Sequence, residues 1–324
     1  MFLFEEVLGN ERTILNLKLS VKNKQVFHSY IFYGEDGVGR LLIAKCFAKL
    51  LQCKNKNSCG KCYSCSSFDS DNNPDIIYIR PTKTKNLGVD DIREQIKSEV
   101  EIKPYACEYK IFIIENADKM TVQAQNALLK ILEEPPRFII FILIGENCNN
   151  FLPTINSRCI PVKINPVKKE EVRQYLENKG IDTDLAQICA SYSQGNIGRA
   201  LKFATDEKFI QIRQNVIEII KKLRESNFAQ ALIFVNELEK HKDDFQIVLD
   251  TFYLWYMDLY IYKKTGDVSF IYNIDMQDEI ISRSMNYDNL YDKIKAIEKA
   301  KKYLYYNSNF KMTMNNMLLE VCGR

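Results

Sequence analysis

Apolar and polar positions alternate along this chain in two different ways, and the change falls near its middle. In the first half, short apolar runs are separated by stretches of helical periodicity, the pattern of a parallel α/β sheet. Tyr30-Ile31-Phe32-Tyr33 reads as a short buried strand ending at Gly34. Asp75 to Ile79, Lys110 to Ile114 and Phe138 to Ile144 read as three more, and Cys159 to Ile164 supplies a fifth. The fully apolar run from Phe138 to Ile144 is expected at the centre of the sheet. Leu41 to Leu51, Val89 to Val100 and Val122 to Glu134 are predicted helices, with Ile92, Ile96 and Val100 recurring every four residues. Pro135-Pro136 ends the last of them, because proline lacks an N–H and clashes with the preceding turn.

After Asn165-Pro166 the strand signals fade. Lys168 to Asn178 and Leu185 to Ser193 read as helices, and Gly195-Asn196-Ile197-Gly198 punctuates the chain before Arg199-Ala200-Leu201. From Glu207 onward the pattern is helical throughout: Phe209 to Arg224, Phe228 to Lys240, Phe245 to Lys264, Tyr287 to Tyr305 and Phe310 to Val321. The expected architecture is an α/β domain over residues 1–165, a small helical domain over 166–206 and an all-α bundle over 207–324.

Composition alters this picture only at a few points. With 46% hydrophobic and 27% charged residues, the chain is excluded from the disordered and collagen-like classes. Its 45 Lys+Arg against 42 Asp+Glu leave a net charge of +3, too small to advertise nucleic-acid binding. The longest apolar run, Phe138 to Ile144, is too short to cross a bilayer. Met1-Phe2-Leu3-Phe4-Glu5-Glu6 has no basic flank, so a secretory signal is not expected and the cytoplasm is. Thiols stay reduced there, and the ten cysteines need an explanation other than disulfides. Cys53, Cys59, Cys62 and Cys65 form C-x5-C-x2-C-x2-C, a spacing that lets four thiolates surround one tetrahedral zinc ion. Gly60 and Lys61 suit a tight knuckle whose amides turn toward sulfur. Four sulfur ligands leave no open position for water, so the site is expected to be structural. Cys46, Cys107, Cys148, Cys159, Cys189 and Cys322 read as core residues.

Strand, glycine-rich turn and helix are the context of a phosphate loop, read here as Gly34-Glu35-Asp36-Gly37-Val38-Gly39-Arg40-Leu41. The G-x-x-x-x-G spacing is present, but the Lys and Ser/Thr that should follow are not. Arg40 keeps the charge on a wide planar fork that does not replace a lysine's point contact, and Leu41 cannot ligate magnesium. Gly34, Gly37, Gly39 and Arg40 therefore form a degenerate loop, expected to be empty of ATP. The strand from Ile111 to Ile114 ends in Glu115-Asn116, where an aspartate and a catalytic glutamate would be needed, and Asn116 cannot act as a base.

These features together resemble the clamp-loader branch of the AAA+ ATPases. Asn116-Ala117-Asp118-Lys119-Met120-Thr121 leading into Gln125-Asn126-Ala127-Leu128-Leu129-Lys130-Ile131-Leu132-Glu133-Glu134-Pro135-Pro136 looks like that family's signature helix. Leu152-Pro153-Thr154-Ile155-Asn156-Ser157-Arg158-Cys159 carries its Ser-Arg-Cys motif, and the cysteine insert sits where the family places a zinc module. The likeness covers roughly residues 1–205 with specific motifs. It implies an AAA+ P-loop-type sheet domain followed by a lid and a collar bundle. It implies that Arg158 is an arginine finger reaching the ATP of a neighbouring subunit, where a guanidinium stabilises charge on the transferred phosphoryl group. Ser157 and Cys159 would hold its loop. Arg199 matches a second-domain arginine that senses the chain's own nucleotide in active relatives; with Arg40 and Leu41 in place, an interdomain contact is expected instead. Gly145 stands where a polar sensor is expected after the strand from Phe138 to Ile144. Leu128, Leu129 and Leu132 would pack inward, leaving Gln123, Gln125, Asn126 and Lys130 toward DNA or a neighbouring subunit. Phe252-Tyr253-Leu254-Trp255-Tyr256 is expected to fill core and subunit interface.

The resemblance thus implies a non-hydrolysing clamp-loader subunit in a pentameric ring. Its partners would be tau/gamma and delta subunits, with the sliding clamp and primer-template DNA as cargo. The alternatives are a tau/gamma-type ATPase, a stand-alone P-loop kinase, and a free zinc-dependent nucleic-acid binder disfavoured by the near-neutral charge.

Overall fold

The computed structural model describes residues 3–82, 86–223, 228–285 and 288–322. Five strands form one parallel sheet: β1 (Ser29–Tyr33), β2 (Ile76–Ile79), β3 (Lys110–Ile114), β4 (Ile139–Gly145) and β5 (Ile160–Lys163), in the order β2-β3-β4-β1-β5. Every residue of β4 is buried, and the strand lies in the middle, as its unbroken apolar run requires. β5 is an edge strand with one buried position, Val162, and its expected ends at Cys159 and Ile164 fall just outside the ladder.

Strand side chains alternate between two cores. Tyr30, Phe32, Ile111, Ile113, Ile140 and Ile142 face α1 (Glu11–Lys22) and α2 (Arg40–Gln52). Ile31, Phe112, Ile114, Phe141 and Leu143 face the opposite layer, with Phe112 and Phe141 stacked 5.1 Å apart. That layer does not include α3 (Tyr63–Asp69), whose Phe68 packs with α2 in the first core. It is built instead from α4 (Val89–Ile92) and α5 (Val122–Glu133). The helix expected from Val89 to Val100 is α-helical only to Ile92 and continues as a wider π turn over Arg93–Lys97, keeping Ile92 and Ile96 buried.

The remaining helices are α6 (Pro153–Asn156), α7 (Lys169–Asn178), α8 (Thr183–Ser193), α9 (Ile197–Thr205), α10 (Glu207–Leu223), α11 (Phe228–Glu239), α12 (Phe245–Thr265), α13 (Gln277–Ser284), α14 (Leu290–Tyr305) and α15 (Phe310–Cys322). Arg224 and Tyr287, expected ends of two of these, lie outside the described residues. The chain forms two compact units, one reaching Glu171 and including Asn196–Gly198, the other holding Val172–Gly195 and everything from Arg199. Within the second unit, Trp255, Phe252 and Tyr256 are buried on α12, which packs against α10, α13 and α14. Phe203 of α9 stacks on Phe209 at 4.2 Å, and Tyr192 of α8 donates to Asn273 at 2.8 Å, so residues 172–195 and 199–206 share their packing with the helices that follow. Among the described residues, no helix is long and apolar enough to cross a membrane.

Candidate functional site

Parallel α/β sheets bind ligands beyond the carboxyl ends of their strands. Gly34 after β1, Glu115-Asn116 after β3 and Gly145 at the end of β4 are drawn to that edge, since Tyr33 pairs with Gly145 and Ile114 with Leu143. The loop from Gly34 to Gly39 takes left-handed backbone at Gly37 (φ 87°) and Gly39 (φ 93°). Its interior is already used. Asn196 donates to the Asp36 carbonyl at 2.6 Å, and the Gly198 amide donates to the Gly37 carbonyl at 2.9 Å. A Cβ on Gly37 would collide with the Asn196 side chain, and one on Gly198 would come within 2.8 Å of the Gly37 Cα. Arg40 is 8% exposed and pairs with Asp36 one turn earlier at 2.9 Å, so its guanidinium is committed to a carboxylate of the same loop.

The other half of the edge follows the same pattern. Asn116 is exposed and left-handed (φ 50°), beginning a single turn over Ala117–Lys119. That turn buries Asp118, whose Oδ2 accepts from the Glu146 amide at 2.9 Å while Oδ1 has no partner. A Cβ on Gly145 would meet the Asp118 Cβ at 2.9 Å. The small residue in the sensor position is therefore matched to a buried carboxylate that ties the ends of β3 and β4 together.

Arg158 is built differently. α6 and the turn after it lead into β5, and the Arg158 carbonyl accepts a 2.6 Å bond from the buried Ser29 hydroxyl at the start of β1. Cys159 is buried beside it, and Asn156 donates to the Cys148 carbonyl at 3.0 Å. Ser157 donates to the Thr154 carbonyl at 3.0 Å and accepts from the Arg158 guanidinium at 3.4 Å. The backbone is fixed, and the guanidinium, 36% exposed, donates to the Thr154 carbonyl at 3.1 Å and to Glu133 of α5 at 3.2 Å. An ion pair this open is worth about 0–1 kcal/mol, so it does not lock the side chain.

α5 follows its amphipathic pattern with one correction. Leu128 and Leu132 are buried, Leu129 is half-buried, and Gln123, Asn126 and Lys130 are exposed. Gln125, expected on the polar face, is 3% exposed. Its amide donates to the Met120 and Asn150 carbonyls and its oxygen accepts from the Leu152 amide at 2.8 Å, tying α5 to the approach of the Arg158 loop. A buried amide pays its desolvation only when such partners surround it.

Cys53 immediately follows α2, and Cys62 and Cys65 lie at the start of α3, so the four cysteines join two helices. Their sulfurs all lie within 4.8 Å of one another. A tetrahedral site with metal–sulfur bonds of ~2.3 Å needs sulfurs about 3.8 Å apart, so a small contraction completes it. Burial opposes ionisation of Cys53, but the amides of Cys59, Asn57 and Asn55 outweigh it and bring the thiol down to about 6. At Cys62, burial is likewise outweighed by the Lys54 and Cys65 amides, while burial dominates at Cys65 and holds that thiol up. The Gly60 amide is nevertheless directed at the Cys65 sulfur, as the knuckle requires. The donor set fits one soft metal ion. Elsewhere burial raises the thiols of Cys46 and Cys189 to about 12 and that of Cys159 to about 11, the state of inert core sulfur. Cys107, Cys148 and Cys322 are only half-buried, a departure from their expected core placement. Lys49, fully buried on α2, pairs with Asp69 of α3 at 2.7 Å and gives the same junction a second tie.

Arg199 pairs with Asp250 of α12, which also holds Lys301 at 2.7 Å, and it lies over the Phe203 ring at 5.2 Å. Its charge is engaged between the segment before residue 206 and the helices after it. Sequence reasoning passed over Asn196, Ser29 and Lys49, whose partners lie 160, 129 and 20 residues away. It also passed over α1, although Ile14, Leu17 and Val21 recur there at helical spacing.

Comparison with known proteins adds a family. A family model described as "DNA polymerase III, delta subunit" matches residues 9–168. DNA polymerase III subunit tau of Bacillus subtilis is 27% identical across 98% of this chain and 61% of its own length. Subunit delta' of the same organism is 26% identical across 93% of this chain and 92% of its own length. The tau/gamma subunit of Haemophilus influenzae is 30% identical across 71% of this chain and 35% of its own. The chain thus spans less than two thirds of the tau and tau/gamma relatives and nearly all of the delta' relative.

Proposed function

Because the chain belongs to the clamp-loader family of AAA+ proteins, we propose that it is a delta-prime-type subunit that hydrolyses no ATP itself and offers Arg158 to ATP held by a neighbouring subunit. A clamp-loader subunit of DNA polymerase III is the coarser statement that its relatives support. The finer reading is supported by one contrast: Arg40 is buried against Asp36, while Arg158 is part-exposed on a fixed backbone, its guanidinium held only by nearby surface groups. A guanidinium acting in trans must be reachable by the neighbour and must not move its base when it engages. Arg158 meets both conditions.

Its partners would be the tau/gamma and delta subunits, with the sliding clamp and primer-template DNA as the cargo of a pentameric ring, at work in the cytoplasm. The bundle from residue 207 would join the collar. Arg199, committed to Asp250, would hold the lid segment to that bundle rather than sense nucleotide. Gly34, Gly37, Gly39 and Arg40 would keep the old loop as packing, with no ATP. Exposed Gln123, Asn126 and Lys130 would lie toward DNA or a neighbouring subunit. Cys53, Cys59, Cys62 and Cys65 would hold a structural Zn²⁺, which supplies a crosslink between α2 and α3 and no chemistry of its own.

The test mixes this chain with tau/gamma and delta subunits. The expected result is a stable complex with one zinc per copy of this chain, and a DNA-stimulated ATPase that falls when Arg158 becomes Ala while assembly persists. Unchanged clamp loading by that variant would sink the proposal. A tau/gamma-type ATPase is the second reading, favoured by the 27% identity to the tau relative. Turnover of ATP by the isolated chain would select it.

A further inference from the structure

A second concave site lies away from both arginines, sharing no residue with the phosphate loop or the Arg158 turn. It is a cavity of about 550 Å³ between α1 and the loop that joins Cys53 to Cys59. Phe4, Val21, Val26, Leu50 and Tyr109 give it apolar walls, and Lys18, Lys22, Lys24 and Lys56 converge on it. Two of those ammoniums are balanced: Lys18 pairs with Glu5 at 3.2 Å and Lys56 with Glu108 at 2.6 Å. Among the described residues, no carboxylate forms an ion pair with Lys22 or Lys24, although the Glu108 carboxylate held by Lys56 also faces Lys24, and the lining carries four lysines against two glutamates. Ser58, on the cysteine loop, adds a buried hydroxyl without a hydrogen-bond partner at the cavity wall.

From this juxtaposition we propose that the cavity binds a small organic phosphate, its apolar body against Phe4, Leu50 and Tyr109 and its dianionic head at Lys22 and Lys24. The volume lies within the range of small-molecule sites, which are typically ~300–1,000 Å³, apolar, and equipped with a few convergent polar groups. A phosphate monoester carries two negative charges, matching the excess of two lysines over glutamates in the lining. A carboxylate supplies one, and a long nucleic-acid strand has no apolar body to fill the walls. Lys24 is held in left-handed backbone (φ 55°), which places it at the turn leaving α1 rather than on a freely moving surface helix.

Phenyl phosphate is the probe, titrated by calorimetry and by amide NMR into the 324-residue chain. The expected result is saturable one-to-one binding that weakens as salt rises, with shifts at Val26, Ser58 and Tyr109. Inorganic phosphate, lacking the apolar body, is expected to bind at least fivefold more weakly. The double variant Lys22→Gln/Lys24→Asn should weaken phenyl phosphate at least tenfold, asparagine being chosen because it tolerates left-handed backbone. A control removing the same charge from exposed positions of the other unit, Lys202→Gln/Lys240→Gln, should leave binding within twofold. Absence of saturable binding at millimolar probe would overturn the proposal. So would equal losses in both double variants, which would mean attraction to net charge alone, or shifts confined to other surfaces.

Discussion

Two arginines in this protein each face a carboxylate at about the same distance, 2.9 Å for Arg40 and 3.2 Å for Arg158, yet one side chain is buried and the other is 36% exposed. Arg40 is buried, its partner Asp36 belongs to its own loop, and the loop's carbonyls are occupied by Asn196 and Gly198. Breaking that arrangement would leave the Arg40 guanidinium, 8% exposed, without the carboxylate that balances it, although Asp36 itself lies in water. Arg158 gives up little when it leaves Glu133, because water screens that pair, and its bond to the Thr154 carbonyl at 3.1 Å is a single surface contact. Its reach is secured from the backbone side, by Ser29, rather than from the side chain. On the proposed reading, availability for work in trans is set by where the rigidity is placed, not by the presence of an ion pair.

That comparison can be broken in several ways. The largest effect is expected from Arg158→Ala in the assembled complex, where turnover at the served ATP site should drop about 10³-fold. Arg158→Lys should recover little of it, since a point charge does not reproduce the planar fork. Recovery above one tenth of parental turnover would mean that charge alone suffices. Next comes the sealed loop. Gly37→Ala must place a Cβ into Asn196 at φ 87°, and a loss of about 2–3 kcal/mol in thermal or denaturant unfolding is expected. Gly39→Ala has the same backbone sign but open space around its Cβ, so about 1 kcal/mol is expected. Equal losses would show that strain, not the Asn196 contact, governs the loop.

Smaller still is Ser29→Ala, which leaves the Arg158 carbonyl without its buried donor and should cost about 1–2 kcal/mol of stability. Complex ATPase should fall with it, through Arg158, and a variant that melts earlier yet keeps full ATPase would separate the two. Glu133→Gln should be nearly silent, within about 0.5 kcal/mol in stability and twofold in complex ATPase. A larger ATPase change in either direction would show that the Glu133 pair positions Arg158 after all.

Much of the fold can be read from local pattern. The strands emerge because an unbroken apolar run such as that of β4 has no stable place other than a sheet covered on both sides. The cysteine spacing is equally legible, because four thiolates within thirteen residues (Cys53 to Cys65) have few alternatives to a shared metal. Local pattern failed where burial overrode polarity. Gln125 sits at a helical position that looks solvent-facing, and only the carbonyls of Met120 and Asn150 make its burial favourable. The short α3 was hidden because its stretch, Tyr63–Asp69, carries serine and cysteine where a periodic apolar face would be sought.

The sequence by itself determined which functional groups are present: Arg40, Leu41 and Asn116 stand where a phosphate loop and its partner strand would carry Lys, Ser/Thr and an acid, and Arg158 stands in the Ser-Arg-Cys motif. Those are properties of functional groups, which need no coordinates. The tertiary structure decided whether each retained group is usable. Asn196 closes over Gly37 from 159 positions away, Ser29 fixes Arg158 from 129, and Asp118 fills the space that Gly145 leaves open. Hydrogen bonds and close packing act over a few ångströms whatever the sequence separation, so a residue's availability is set by neighbours that only the folded chain supplies.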